Sequence, residues 1–171
     1  ALEGDLESMP GAAYDVSVAP DGTLAVVGVD ATPDGYVVLV WDGAAWNRVD
    51  EDAVRIAASS NTYYAWISRS GQIKIWDVGA RSTLLIEGKD IAANDQMLIW
   101  LVAKDSHSGS FSVHSWDGFN LQDLGLPATR IAVGPNGMVY AVDDSHHIFA
   151  YAGNSWQQMP GEATDISVGA D

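Results

Sequence analysis

The residues best suited to hold a ligand sit in short polar turns, each beside an aromatic side chain. They are Trp41-Asp42-Gly43 with Trp46, Trp76-Asp77 with Arg81, Trp116-Asp117-Gly118 with Phe119, and Gly153-Asn154 with Trp156. Aromatic faces stack on sugar rings, and carboxylate or amide groups bridge hydroxyls. Trp41, Asp42, Trp46, Trp76, Asp77, Arg81, Trp116, Asp117, Phe119, Asn154 and Trp156 are therefore the candidate ligand-binding residues, and the chemistry they offer is glycan recognition. Packing between repeated units would place the same residue types at the same recurring positions.

Other chemistry finds less support. His107, His114, His146 and His147, with Asp105, Asp143 and Asp144, follow no known metal-ligand spacing. The turns from Asp30 to Gly35 and from Lys104 to Gly109 are rich in oxygen ligands, but they lack the spacing and closing Glu of an EF-hand, so weak Ca²⁺ is the only cofactor to consider. There is no nucleophile elbow, no phosphate-cradling glycine pattern and no His held by an acid at a defined spacing, so no catalytic residue is assigned and the chain is not expected to be an enzyme. A carboxylate pair assembled in space, as in glycosidases, is the one route to catalysis that spacing does not test.

Such turns need a rigid frame. At 171 residues and 47% hydrophobic content the chain can bury a core as one domain, and with no Cys that core rests on packing alone. The 23 acidic against 8 basic residues give a net charge of -15, which repels phosphate backbones and anionic lipids and argues against a nucleic-acid partner. Seven Trp and six Tyr distinguish this acidity from that of a disordered chain. No apolar run reaches the ~18 residues that span a bilayer. The start, Ala1-Leu2-Glu3-Gly4-Asp5, has no signal-peptide character, and localisation stays open, with a secreted or cell-surface setting slightly favoured.

The frame itself is a repeat. Met9-Pro10-Gly11-Ala12-Ala13-Tyr14-Asp15-Val16-Ser17-Val18 returns as Met159-Pro160-Gly161-Glu162-Ala163-Thr164-Asp165-Ile166-Ser167-Val168, with seven of ten positions identical. Between them lie Arg55-Ile56-Ala57-Ala58, Asp90-Ile91-Ala92-Ala93 and Arg130-Ile131-Ala132-Val133, so first positions 15, 55, 90, 130 and 165 are spaced 40, 35, 40 and 35. Trp41, Trp76, Trp116 and Tyr151 follow their copies by 26, 21, 26 and 21 residues, which places the five-residue difference between the two columns. The chain thus repeats at one unit and again at a 75-residue pair of units.

Each unit parses into four short strands. The first alternates branched and small residues, as in Val16-Ser17-Val18. The second is apolar and aromatic: Leu24 to Val27, Tyr63 to Ile67, Leu98 to Val102 and Val139 to Val142. The third carries the aromatic column: Val37 to Trp41, Ile73 to Trp76, Phe111 to Trp116 and Ile148 to Tyr151. The fourth is more polar: Trp46 to Val49, Thr83 to Ile86, Asn120 to Leu124 and Ser155 to Met159. Turns at Pro20-Asp21-Gly22, Ser60-Asn61, Asn94-Asp95 and Pro135-Asn136-Gly137 join the first two. Such units must stack to cover both faces, which predicts an all-β propeller of four-stranded antiparallel blades. A β-sandwich explains the short strands but not the 75-residue return.

Trp156 to Gly169 and Ala132 to Val142 resemble the consensus of tectonin repeats, strongly in the first and fourth copies and weakly in the second and third. The resemblance implies a tachylectin-like propeller that recognises glycans or microbial surfaces, or scaffolds proteins and membranes, without catalysis.

The expected organisation is one domain, 1–171, with blades near 10–49, 50–86, 87–124 and 125–160 and partial-blade strands at 5–9 and 161–171. That is about four complete blades plus parts of a fifth, either a segment of a longer, six-bladed array or a four-bladed ring with overhanging ends. The expected function is glycan or cell-surface recognition through loops between blades. The alternative is a protein-interaction or self-assembling scaffold that uses open blade edges.

Overall fold

The computed structural model describes residues 8–94, 98–104, 110–134, 137–152 and 154–169. Asp105, His107, Gly153, the Pro135-Asn136 and Asp95 turn positions, residues 5–7 and residues 170–171 lie outside the described residues. Fifteen strands form, and among the described residues there is no helix.

The first blade is β1 (Ala13–Val18), β2 (Leu24–Thr32), β3 (Gly35–Trp41) and β4 (Trp46–Ala53). β5 (Arg55–Ala58), β6 (Tyr63–Ile67) and β7 (Gln72–Asp77) begin the second blade, and β8 (Ala80–Ala93) ends it. β9 (Ile99–Lys104), β10 (Phe111–Trp116) and β11 (Leu121–Pro127) complete the third. The fourth is β12 (Arg130–Val133), β13 (Val139–Val142), β14 (His147–Ala152) and β15 (Ser155–Glu162). Every neighbouring pair is antiparallel, and blades one and four are separate four-stranded sheets in chain order.

The middle two blades share a strand. Residues 80–87 of β8 pair with β7 as the outer strand of blade two, and residues 88–93 pair with β9 as the inner strand of blade three. The fourth strands therefore run further than the polar pattern predicts, because each outer strand continues toward the next inner strand with little or no turn between. Gly88 allows this: a Cβ there would lie 2.7 Å from Ile73 Cγ1, so only glycine lets the backbone pass over that side chain. The expected outer strand at 5–9 is not found in its described part, since Ser8 and Met9 have no strand pairing, and 163–169 likewise form no strand.

The blades stack through three apolar cores. Val27, Val38, Ile56, Tyr64 and Trp66 fill the first interface, between blades one and two. Ile67, Ile73, Ile91, Ile99 and Leu101 fill the second, and Trp100, Val102, Val113, Ile131 and Val139 the third. Alternation along each strand sends successive side chains to opposite neighbours, which is why both blade faces are apolar. This is the predicted β-propeller arrangement.

Along the axis, the first-position column becomes a chain of polar contacts. Asp15 accepts a hydrogen bond from Ile56 N–H at 3.0 Å, and Asp90 accepts one from Ile131 N–H at 2.9 Å, each tying one inner strand to the next. Ala58 N–H donates to Ser17 Oγ at 2.9 Å. Arg55 Nε lies 3.8 Å from Asp90, and Arg130 Nε lies 3.5 Å from Asp165. Burial pushes the Asp90 carboxyl above the usual carboxylate range, opposed by the Ile131 N–H, Arg130 and Arg55.

The structure also locates the five extra residues of the first copy. They lengthen the β2–β3 connection, which reaches across to blade two. Ser70 N–H donates to Asp34 Oδ1 at 2.9 Å and Arg69 N–H to Asp34 O at 2.8 Å, while Asp34 N–H donates to Asp52 at 3.0 Å.

Candidate functional site

The hairpins joining third to fourth strands carry every predicted ligand residue, and the structure separates those residues by what already occupies them. Asp42 accepts hydrogen bonds from Ala44 N–H, Ala45 N–H and Asn47 Nδ2, all within its own turn. Asp117 does the same with Phe119 N–H, Asn120 N–H and Asn120 Nδ2. These donors hold both carboxyls below their ordinary range. The two aspartates shape their turns.

The aromatic partners mostly clamp blades. Trp156 Nε1 donates to Leu124 O at 3.1 Å, on the outer strand of the preceding blade, and Trp46 Nε1 donates to Pro10 O. Arg81 holds the same hairpin position in blade two and lies 3.0 Å from the buried Asp50 of blade one. Trp41 meets Trp46 edge-on at 5.1 Å, Trp76 stacks on Tyr64 at 6.1 Å, and Trp116 packs against the second core. Tyr151 joins Trp156 at 4.9 Å. Asn154 is exposed, and its N–H donates to Ala152 O at 2.9 Å.

Two hairpins keep groups that packing does not use. At the tip of β7–β8, Val78 is 73% exposed with φ 43°, a left-handed conformation that a β-branched residue adopts only at a cost. The carboxylate of Asp77, beside it, makes no hydrogen bond or ion pair among the described residues, while its backbone lies in the β6–β7–β8 ladder. At the tip of β10–β11, Phe119 is 89% exposed. The carboxylates of Asp77 and Asp117, at the bases of these two hairpins, both act on the buried Tyr63 hydroxyl. Burial first, and then those two charges, push the Tyr63 hydroxyl up to about 12. The candidate groups are thus an apolar residue and a carboxylate on the third-to-fourth-strand hairpin of blade two and an aromatic ring on that of blade three. Val78 escaped sequence reasoning, because an exposed Val in a turn carries no signal until its φ is known.

The remaining candidates are dispersed. His114 is buried, its Nδ1 3.1 Å from Ser112 O, and His147 pairs with Asp143 at 3.1 Å in a turn with exposed Asp144 and His146. Asp34 of the Asp30–Gly35 turn is spent on Ser70. Among the described residues, no three His, Asp or Glu converge as a metal site.

Residues 127–171, the fourth blade and the segment after it, match the Tectonin domain, in line with the resemblance read from the sequence. No curated protein matches the chain. Among solved structures it is similar to YCF48 from Cyanidioschyzon merolae, with TM-score 0.59 and 13% identity over 92% of this chain and 59% of that one. A YCF48 bound to D1 peptide gives TM-score 0.52 and 16% identity over 91% and 55%. The β-propeller domain of Cps50 (Swd1) from Myceliophteria thermophila gives 0.58 and 12% over 80% and 50%. The chain spans between half and three fifths of these three structures. At such identities the likeness establishes the propeller fold alone, and the fold and tectonin match together are those of a binding or scaffolding module.

Proposed function

We propose that this propeller is a non-catalytic recognition module that binds a polypeptide partner at the hairpin tips of blades two and three. The observation that carries this reading is the unused chemistry there: Val78 and Phe119 expose apolar surface, and Asp77 holds a carboxylate without a partner among the described residues. Such a surface suits a segment that presents an apolar anchor next to a Lys or Arg. The net charge of -15 steers cationic partners toward it and repels anionic ones. A peptide bound to one YCF48 is a precedent for this class of partner on this fold.

A glycan is the second reading, favoured by the exposed Phe119 ring as a stacking face near Asp77 as a hydroxyl acceptor. One experiment separates the two. A phage-displayed random peptide library and a glycan array are both presented to the immobilised chain. Enriched peptides pairing a basic residue with an apolar one, losing about tenfold or more in affinity with Phe119→Ala or Asp77→Asn at unchanged melting temperature, support the polypeptide reading. Saturable glycan binding lost in the same variants, with no peptide enrichment, replaces it with the second.

A further inference from the structure

Blade stacking obeys one rule three times, and both halves of a fourth interface stand unmated. On each inner strand the residue after the axial position faces the preceding blade: Ile56, Ile91 and Ile131 are at most 7% exposed. Val16 holds that position in blade one and is 59% exposed. On each third strand the residue three before the aromatic column faces the following blade, and Val38, Ile73 and Val113 are all fully buried. Ile148 holds that position in blade four and is only half-buried.

The chain covers each open face with a short duplicate of what belongs there. Residues 9–12 wall an apolar groove of about 370 Å³ over blade one, lined by Val16, Leu24, Val26, Val29 and Leu39. Pro10 O accepts from Trp46 there as Leu124 O, on a true outer strand, accepts from Trp156. At the other end, residues 163–169 lie where a fifth inner strand belongs, with Asp165 against Arg130 at 3.5 Å. That segment has no strand pairing, and the Asp165 side chain is 82% exposed. Residues 9–18 and 159–168 are nearly the same sequence, so each can take the other's place.

We propose that two copies of this chain join by that exchange. The outer strand β15 of one copy replaces residues 9–12 beneath Trp46 of the other. Asp15 of the incoming blade takes the position of Asp165 beside Arg130, and residues 163–169 are released. The axial column then continues its alternation, Arg130 followed by Asp15, and Val16 meets the face of Ile148. The reciprocal exchange forms the same junction twice, so the dimer closes by twofold symmetry. A junction that kept Asp165 in place would instead set two carboxylates side by side.

Light scattering coupled to size exclusion, run on the full chain from about 1 µM to about 1 mM, tests this. The expected species is a dimer of twice the 18.2 kDa monomer, increasingly populated with concentration. Val16→Asp and Ile148→Asp each raise its dissociation constant about tenfold or more while leaving far-UV circular dichroism unchanged. An equimolar mixture of the two variants regains dimer, because one of its two junctions has both native residues. A monomer throughout the range, or a dimer indifferent to both variants and to their mixing, overturns the proposal.

Discussion

Substituting Asp90 in two ways asks whether the axial column joins blades through hydrogen bonding or through charge. The Asp90 carboxylate is buried between blades three and four, and it accepts Ile131 N–H at 2.9 Å while facing Arg55 at 3.8 Å. Asp90→Ala leaves that buried N–H without an acceptor, which costs about 1–3 kcal/mol, and removes the partner of two half-exposed arginines, which costs less. Relief of a buried charge offsets part of this, so a net loss of about 2 kcal/mol is expected. For a chain of this length that lowers the melting temperature by about 4–8 °C.

Asp90→Asn keeps the acceptor oxygen and discards the charge, so it is expected to melt within about 2 °C of the wild type near neutral pH. The pH dependence has a definite sign. Because the folded pKa of Asp90 is raised above its unfolded value, the folded state binds the proton more tightly, and stability falls as pH climbs through that window. Asparagine does not titrate, so it gains on the wild type as pH rises from about 4 toward neutrality. Thermal melts of all three proteins across that range decide the matter. If the Asn variant loses as much as the Ala variant at neutral pH, charge pairing holds the blades and the hydrogen-bond account is wrong.

Three further substitutions probe the frame. Gly35→Ala places a Cβ 2.6 Å from Ala53 N and 2.7 Å from Ala53 O, backbone that cannot yield, so urea unfolding is expected to show a loss of about 2 kcal/mol or more. Trp156→Phe removes the donor to Leu124 O and is expected to cost about 1 kcal/mol in the same assay, a value near zero meaning that the clamp is incidental. Val78→Asn relieves a left-handed β-branched residue and is expected to stabilise by about 1 kcal/mol, while weakening any partner held at that tip.

Much of the architecture was legible in the sequence because the constraints behind it are local. Tyr63 to Ile67 reads as a buried strand because all five residues are apolar or aromatic and all are buried. The polar residues Glu87-Gly88-Lys89 fall between the expected fourth strand, Thr83 to Ile86, and the expected inner strand from Asp90, yet they lie inside β8, since Gly88 is required by contact with Ile73 and Asp90 is spent on the next blade. The turn aspartates show the opposite ambiguity. Asp42 and Asp117 look like ligand groups, but an Asp that closes its own turn and an Asp that awaits a ligand have the same sequence neighbours. Trp46 and Trp156 are likewise indistinguishable from stacking platforms until their indole donors are seen on main-chain carbonyls, of Pro10 before the first strand and of Leu124 on the preceding blade. Asp77, Val78 and Phe119 emerge as a candidate surface only after such uses are subtracted.

The double-blade period has a physical origin that single-blade packing does not supply. A column of aspartates alone along the axis would repel itself, and a column of arginines would do the same, whereas alternation lets Arg55 face Asp90 and Arg130 face Asp165. The repeating unit of an alternating column is two blades. The five extra residues of the first copy reinforce this pairing, because its longer β2–β3 connection grips the next blade through Asp34 and Ser70. Blade two, five residues shorter between its columns, lacks that lengthening. Removing Asp34 should therefore loosen blade one from blade two more than blade three from blade four. Hydrogen exchange at Ser70 and Arg69 N–H, compared with exchange at Ile131 N–H in the same Asp34→Ala protein, would show it, and uniform acceleration at all three would refute the pairwise grip.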